Sequence, residues 1–213
     1  MKINAALADE APPIVAILRG IETAEAVEIG EALIEAGIRL IEVPFNSPDP
    51  AGSIRAMAMA LGGRAAVGGG TVTTPELADA LADAGGTFMV SPNVEPAVIG
   101  RSLERGLDVL PGFLTPTEAF AAVRAGARDL KLFPGTVLGS GYIRAIREVL
   151  SPGTRIWAVG GVGIANIGEF RAAGVFGIGV GGSLYKPGHD AVTVAAKARE
   201  LVAAWSDAAA SEG

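Results

Sequence analysis

The chain has 213 residues, half of them hydrophobic, with a net charge of −6 and no cysteine. That length and apolar content suit one large core spanning residues 1–213 as a single domain. An acidic balance without any basic run argues against nucleic acid or an anionic membrane as partner, and the lack of cysteine excludes disulfides, zinc–thiolate sites and thiol chemistry. Nor does the N-terminus read as a basic-then-apolar leader, and no charge-free apolar stretch approaches about 18–20 residues, so a soluble, cytoplasmic protein is expected.

One unit recurs along the chain: a short β-rich run, a turn, then an alanine-rich helix closing on glycine. Strands are predicted at 14–18, 39–43, 65–69, 87–91, 107–110, 129–133, 155–159 and 175–180. Helices are predicted at 23–36, 49–61, 75–84, 95–105, 116–125, 141–149, 164–173 and 190–206. Thr74-Pro75-Glu76 and Thr115-Pro116-Thr117-Glu118 carry N-cap signals, as does Ser47-Pro48-Asp49, while Gly37, Gly85, Gly126 and Gly174 mark helix ends. Strands alternating with helices imply a parallel sheet with right-handed crossovers. Eight evenly spaced units without a linker predict an α/β fold, a single closed (β/α)8 TIM barrel.

A barrel of this kind places its chemistry at the C-terminal ends of its strands. Those ends carry Arg19, Glu42, Gly70-Thr71, Ser91-Pro92-Asn93, Pro111-Gly112, Lys131, Gly160-Gly161 and Gly181-Gly182-Ser183. Lys131 stands out among the four lysines, because Leu130-Lys131-Leu132-Phe133-Pro134 is an apolar strand. Lys2, Lys186 and Lys197 lie in polar or helix-surface contexts where lysine is ordinary. Burying an ammonium depresses its pKa and makes the amine a nucleophile toward carbonyls. The other reading is a stem lying on the sheet with its head at the rim.

Glu42 lies in Leu40-Ile41-Glu42-Val43-Pro44-Phe45, a carboxylate inside an apolar strand. It reads either as a structural partner of a barrel arginine or as a general acid/base with a pKa raised by burial. Gly160-Gly161 and Gly181-Gly182-Ser183 follow the seventh and eighth predicted strands, where barrels commonly hold phosphate on backbone N–H groups. Arg19 could add a charge-assisted contact to an anion. No Rossmann fingerprint, Walker A lysine or Gly-x-Ser-x-Gly elbow occurs. With one histidine, His189, expected on the surface near a helix start, a nitrogen/sulfur metal site is not expected either, and neither is a cofactor.

Several segments occur in a fixed order: Ile14–Gly20, Ile41-Glu42-Val43-Pro44-Phe45-Asn46-Ser47-Pro48, Gly69-Gly70-Thr71-Val72, Ser91-Pro92-Asn93, Leu130-Lys131-Leu132-Phe133-Pro134, Ala158-Val159-Gly160-Gly161 and Gly182-Ser183-Leu184-Tyr185. Together, over about residues 12–205, the chain resembles the class I 2-keto-3-deoxy-6-phosphogluconate and 6-phosphogalactonate aldolases. The resemblance implies a metal-free barrel that assembles as a homotrimer and acts on a phosphorylated keto-deoxy sugar acid, releasing pyruvate. It maps the Schiff-base lysine to Lys131 and the general acid/base to Glu42. Contacts to the pyruvyl carboxylate map to Thr71 and its surroundings, with Pro92 and Phe133 in the substrate pocket. Arg19 matches a substrate-binding arginine, and the phosphate loops match Gly160, Gly161, Gly181, Gly182 and Ser183. Pro44-Phe45-Asn46-Ser47-Pro48 and Val159 resemble the galactonate branch; gluconate enzymes carry threonine at the latter position. Gly182-Ser183 is similar to the gluconate pattern, and Gly135-Thr136-Val137-Leu138 also departs from the galactonate one.

Overall fold

The computed structural model describes residues 1–8 and 10–210, without the side chains of 209 and 210. Among the described residues nine strands form one sheet: β1 (Ile14–Ile17), β2 (Leu40–Pro44), β3 (Ala66–Gly70), β4 (Phe88–Val90), β5 (Asp108–Leu110), β6 (Gly112–Phe113), β7 (Asp129–Leu132), β8 (Arg155–Val159) and β9 (Gly177–Val180). The helices are α1 (Ile3–Ala6), α2 (Thr23–Glu35), α3 (Pro50–Leu61), α4 (Pro75–Asp83), α5 (Pro96–Glu104), α6 (Pro116–Arg124), α7 (Gly139–Val149), α8 (Ile167–Ala172) and α9 (Ala191–Ala210). Neighbouring strands are parallel, in the order β5-β4-β3-β2-β1-β9-β8-β7-β6. The two edges of that sheet, β5 and β6, are separated in the chain by Pro111 alone. The sheet therefore curls into a (β/α)8 barrel whose fifth strand is in two pieces.

The split corrects the expected uninterrupted strand 107–110 followed directly by a loop. Proline has no N–H to give to a ladder, so pairing breaks at Pro111. Its carbonyl still accepts from the Lys131 N–H at 2.9 Å, which ties the break to β7. At Gly112 a Cβ would stand 2.4 Å from the Pro92 carbonyl carbon, so a residue with a side chain could not follow the same path.

Alternation of side chains divides the core in two. Val15, Ile17, Leu40, Phe88, Val90, Leu110, Trp157 and Val159 pack inside the barrel, while Ile41, Val43, Leu130 and Leu132 pack between strands and helices. The same alternation turns Glu42 and Lys131 inward. The short helix α1, too brief to register as a periodic pattern, adds Ile3 and Ala6 to the interior cluster. It is tethered where the Ile3 N–H donates to Asp108 Oδ2 (2.9 Å) and Arg155 donates to Asn4 Oδ1 (2.7 Å), closing the N-terminal end of the barrel.

Thr74 and Thr115 cap α4 and α6 as their sequence signals predict, each with proline in the first turn. Asp49 caps α3 by accepting from the Gly52 N–H at 3.0 Å. The helix predicted at 164–173 starts only at Ile167, because the Asn166 side chain accepts from the Gly163 N–H (2.9 Å) and donates to the Gly161 carbonyl (3.0 Å), holding a loop there. Among the described residues no helix is long and apolar enough to cross a membrane.

A partly buried ion pair lies one inward-facing position below Lys131. Asp129 accepts from Arg155 Nε and Nη2, both at 2.6 Å, and from Trp157 Nε1 at 2.7 Å. Trp157 in turn meets Phe176 edge-on at 5.2 Å. Removing the carboxylate would strand a partly buried guanidinium and an indole N–H, which costs about 3 kcal/mol. Asp129→Ala is therefore expected to lower Tm by roughly 6–12 °C, followed by circular dichroism on heating. A loss below about 1 kcal/mol would mean that the pair behaves as a surface contact.

Candidate active site

A cavity of about 690 Å³ opens at the C-terminal ends of the strands. Arg19 enters it from the turn after β1, Glu42 from within β2, Thr71 from the end of β3 and Pro92 from the turn after β4. Lys131 comes from β7 with Phe133 just beyond it, and Val159 closes β8 ahead of Gly160 and Gly161. Gly181, Gly182 and Ser183 complete the wall after β9. The candidate catalytic and substrate-binding residues thus meet in one place. Gly70, Ser91, Asn93, Pro111 and Gly112, also read as mouth residues, do not line it.

Lys131 is only 7% exposed and Glu42 only 2%. Among the described residues neither of them forms an ion pair with any partner, and Glu42 Oε2 has no hydrogen-bond partner. The structural salt bridge left open for Glu42 is therefore not formed. Burial pushes the Glu42 carboxyl up to about 7, against the opposing fields of Lys131 and Arg19. Burial likewise holds the Lys131 amine below its ordinary value; Glu42 opposes that shift and Arg19 adds to it. The amine also lies 4.6 Å from the centroid of the Phe133 ring. Both groups are thus biased toward their neutral forms, which suits an amine that attacks and a carboxyl that exchanges protons near neutrality.

The glycine run at the end of β3 makes room for this pair. A Cβ on Gly70 would stand 1.5 Å from Glu42 Oε2, so the carboxylate occupies the space that a side chain would take. Next in the chain, Thr71 has φ +56°, a left-handed conformation unusual for a β-branched residue that costs about 1–3 kcal/mol. Strain of this kind concentrates where a backbone is held for function.

The opposite wall presents backbone donors. Gly160 and Gly161 have φ +94° and +78°, which only glycine adopts without strain. The N–H groups of Gly161, Gly182 and Ser183 donate to no partner among the described residues. Such free amides beside a cationic rim make a receptive place for an oxyanion. Arg19 donates to Asn46 Oδ1, a neutral acceptor that leaves its charge in place, and the following Gly20 N–H donates to Ser47 Oγ at 3.0 Å.

Three polar side chains of the lining lie outside the sequence expectations. Tyr185 lines the cavity with its hydroxyl donating to Glu25 on α2; Asn166 shapes the 161–166 loop; and Lys186 reaches the mouth from the turn after β9. Each belongs to a loop rather than a strand, where periodicity is silent. Their position a few residues after the paired glycines is the available signal. His189 lies in that same turn as Lys186, accepting from the Lys186 N–H on Nδ1 at 3.2 Å. Among the described residues no cluster of three or more histidine, aspartate or glutamate side chains could hold a metal ion.

Comparison with known proteins gives the family. A family model described as KDPG and KHG aldolase matches residues 5–195. A protein of Rhizobium meliloti (strain 1021) named a probable 2-dehydro-3-deoxy-6-phosphogalactonate aldolase is 50% identical over 194 residues, 91% of each chain. The 2-dehydro-3-deoxy-6-phosphogalactonate aldolase of Escherichia coli (strain K12) is 42% identical over 196 residues, 92% of this chain and 96% of that one. A solved structure described as native KDPGal has a TM-score of 0.91 at 42% identity, covering 93% of this chain and 96% of the other. With a family model spanning most of its length, and relatives at this identity over nearly all of it, the chain belongs to the KDPG and KHG aldolase family.

Proposed function

We propose that this aldolase cleaves 2-dehydro-3-deoxy-6-phosphogalactonate to pyruvate and D-glyceraldehyde 3-phosphate through an imine on Lys131. The observation that carries the reading is a buried amine without an ion pair, sharing a pocket with a carboxyl whose pKa lies near 7. Neutral Lys131 adds to the C2 ketone, and loss of water from the carbinolamine gives an iminium. Ionised Glu42, through a water, takes the C4 hydroxyl proton. The C3–C4 bond breaks, its electrons pass into the C2–C3 bond and the iminium nitrogen becomes an enamine nitrogen, while C4 leaves as the aldehyde. The carboxyl that received the proton then supports protonation of C3, and hydrolysis frees pyruvate and the amine. No metal or cofactor takes part in this scheme.

The two ends of the substrate orient it. The carboxylate lies toward Thr71, Arg19 serves as a substrate-binding cation, and the phosphate rests against the free amides of Gly161, Gly182 and Ser183 beside Gly160 and Gly181. Fixing both ends can lower the barrier by several kcal/mol. A cytoplasmic homotrimer, implied by the family resemblance, is part of the proposal.

The choice of epimer rests on Val159, which is buried and lines the cavity. The two 6-phosphate substrates differ at C4, the carbon whose hydroxyl loses its proton. A threonine could hydrogen-bond there and favour the gluconate epimer, whereas valine presents only methyl groups. Wild-type kcat/KM is expected to be higher on the galactonate compound, and Val159→Thr should move the ratio toward the gluconate epimer by roughly tenfold. Equal or greater wild-type efficiency on the gluconate compound would refute the epimer assignment and leave the aldolase reaction standing. The alternative, a gluconate-type or 4-hydroxy-2-oxoglutarate aldolase, has Gly182-Ser183 in its favour, a pair similar to the gluconate pattern.

A further inference from the structure

Lys186 is ordinary by sequence, in a polar turn beyond the last strand. In three dimensions it lines the cavity mouth with Gly182, Ser183 and Arg19. Its ammonium forms no ion pair or hydrogen bond among the described residues. The turn that carries it is fixed, however. The Lys186 N–H donates to His189 Nδ1 (3.2 Å), and the His189 N–H returns to the Lys186 carbonyl (3.0 Å). The next residue, Pro187, packs over the turn that bears Arg19: a Cβ on Gly20 would stand 2.9 Å from Pro187 Cγ. Lys186 and Arg19 therefore flank one corner of the mouth, next to the free amides of Gly182 and Ser183.

Charge makes the corner selective. Arg19 and Lys186 line the cavity as cations, while burial biases Lys131 and Glu42 toward their neutral forms, so the pocket is positive in a chain whose net charge is −6. Lys131 lies deep in the barrel and Arg19 is already shared with Asn46, so Lys186 is the cation at the rim that has no protein partner among the described residues. A strongly hydrated ammonium on a flexible stem suits a phosphate as a point charge without demanding one geometry.

We propose that Lys186 is a further specificity-determining residue, a cation that closes over the substrate's terminal phosphate and makes the enzyme prefer phosphorylated keto-deoxy sugar acids over their dephosphorylated counterparts. The inference rests on the phosphate placement given under Proposed function. It adds a side-chain charge to a subsite otherwise built from backbone amides.

The test compares wild type, Lys186→Gln and Lys186→Arg on the phosphorylated substrate and on the same keto-deoxy sugar acid lacking phosphate, with inorganic phosphate as inhibitor. Lys186→Gln is expected to raise KM for the phosphorylated substrate about tenfold with little change in kcat. The preference for the phosphorylated compound should fall by the same factor, phosphate inhibition should weaken, and Lys186→Arg should restore most of both. An unchanged KM on the phosphorylated substrate, or an equal loss on both substrates, would overturn the proposal, the second outcome marking Lys186 as merely structural. A wild-type enzyme indifferent to the phosphate would overturn the phosphate placement itself, together with this inference, a result separable from the first two because it needs no variant.

Discussion

Lys131→Arg is expected to abolish turnover, by roughly 10⁵-fold or more, because a guanidinium stays protonated and cannot form the imine on which cleavage depends. Lys131→Met separates chemistry from folding. The native amine is held below its ordinary pKa by burial, so between its folded and unfolded values the unfolded chain binds more protons at this position than the folded one does, and the protonated amine is the costlier form in the native state. That difference penalises the native state at neutral pH and lessens as pH rises toward the unfolded value. A methionine side chain carries no such penalty, so the variant should be inactive yet at least as stable as wild type near pH 7. Direct evidence comes from borohydride reduction in the presence of pyruvate, followed by peptide mass mapping. The peptide containing Lys131 should gain the mass of pyruvic acid less one oxygen. An adduct spread over Lys2, Lys186 or Lys197, or no adduct at all, would sink the imine mechanism.

How much of the molecule is legible in its sequence differs between strands and loops. A two-residue period is a strong signal, so Glu42 and Lys131 can be placed inside the barrel from their apolar neighbours, and both are buried there. Helix punctuation is equally readable: Gly37 takes φ +97° where the sequence closes a helix. Pro111 explains why the fifth strand breaks, but nothing local announces that it resumes at Gly112, because that second piece depends on pairing with β7, a tertiary fact. Helix α1 has four residues, too few for any periodic signature, and its place is set by contacts with Asp108 and Arg155 across the barrel. Lys186 is inconspicuous for a related reason. Its meaning comes from the fold of the turn after β9, in which His189 and Pro187 bring an otherwise surface lysine to the mouth. Strand residues announce their direction by rule, whereas loop residues acquire theirs from partners distant in sequence.

Glu42→Gln is expected to lose roughly 10²–10⁴ in kcat, the usual size of a general acid/base contribution, while keeping the fold and the pyruvyl adduct on Lys131. The adduct survives because Glu42 is the neighbour that raises the Lys131 pKa, so its removal leaves the amine more readily neutral. Wild-type kcat should rise with pH through a limb near 7, where the carboxyl ionises to accept the C4 hydroxyl proton, and the variant should lack that limb. Stability supplies an independent sign. The folded carboxyl titrates at about 7 against an ordinary value of 4.5, so between those pH values the native state binds more protons than the unfolded chain. The protonated acid's contribution is complete below the unfolded pKa and is lost as pH rises through the folded one, leaving a penalty of up to about 3 kcal/mol near pH 8. Glutamine is neutral throughout and escapes it. The variant should therefore be about 1–3 kcal/mol more stable than wild type near pH 8 and nearly equal to it near pH 5, measured by urea unfolding at both. A structural salt bridge would give the opposite result, a variant weakened at the higher pH, and with it the acid/base role of Glu42 would have to be abandoned.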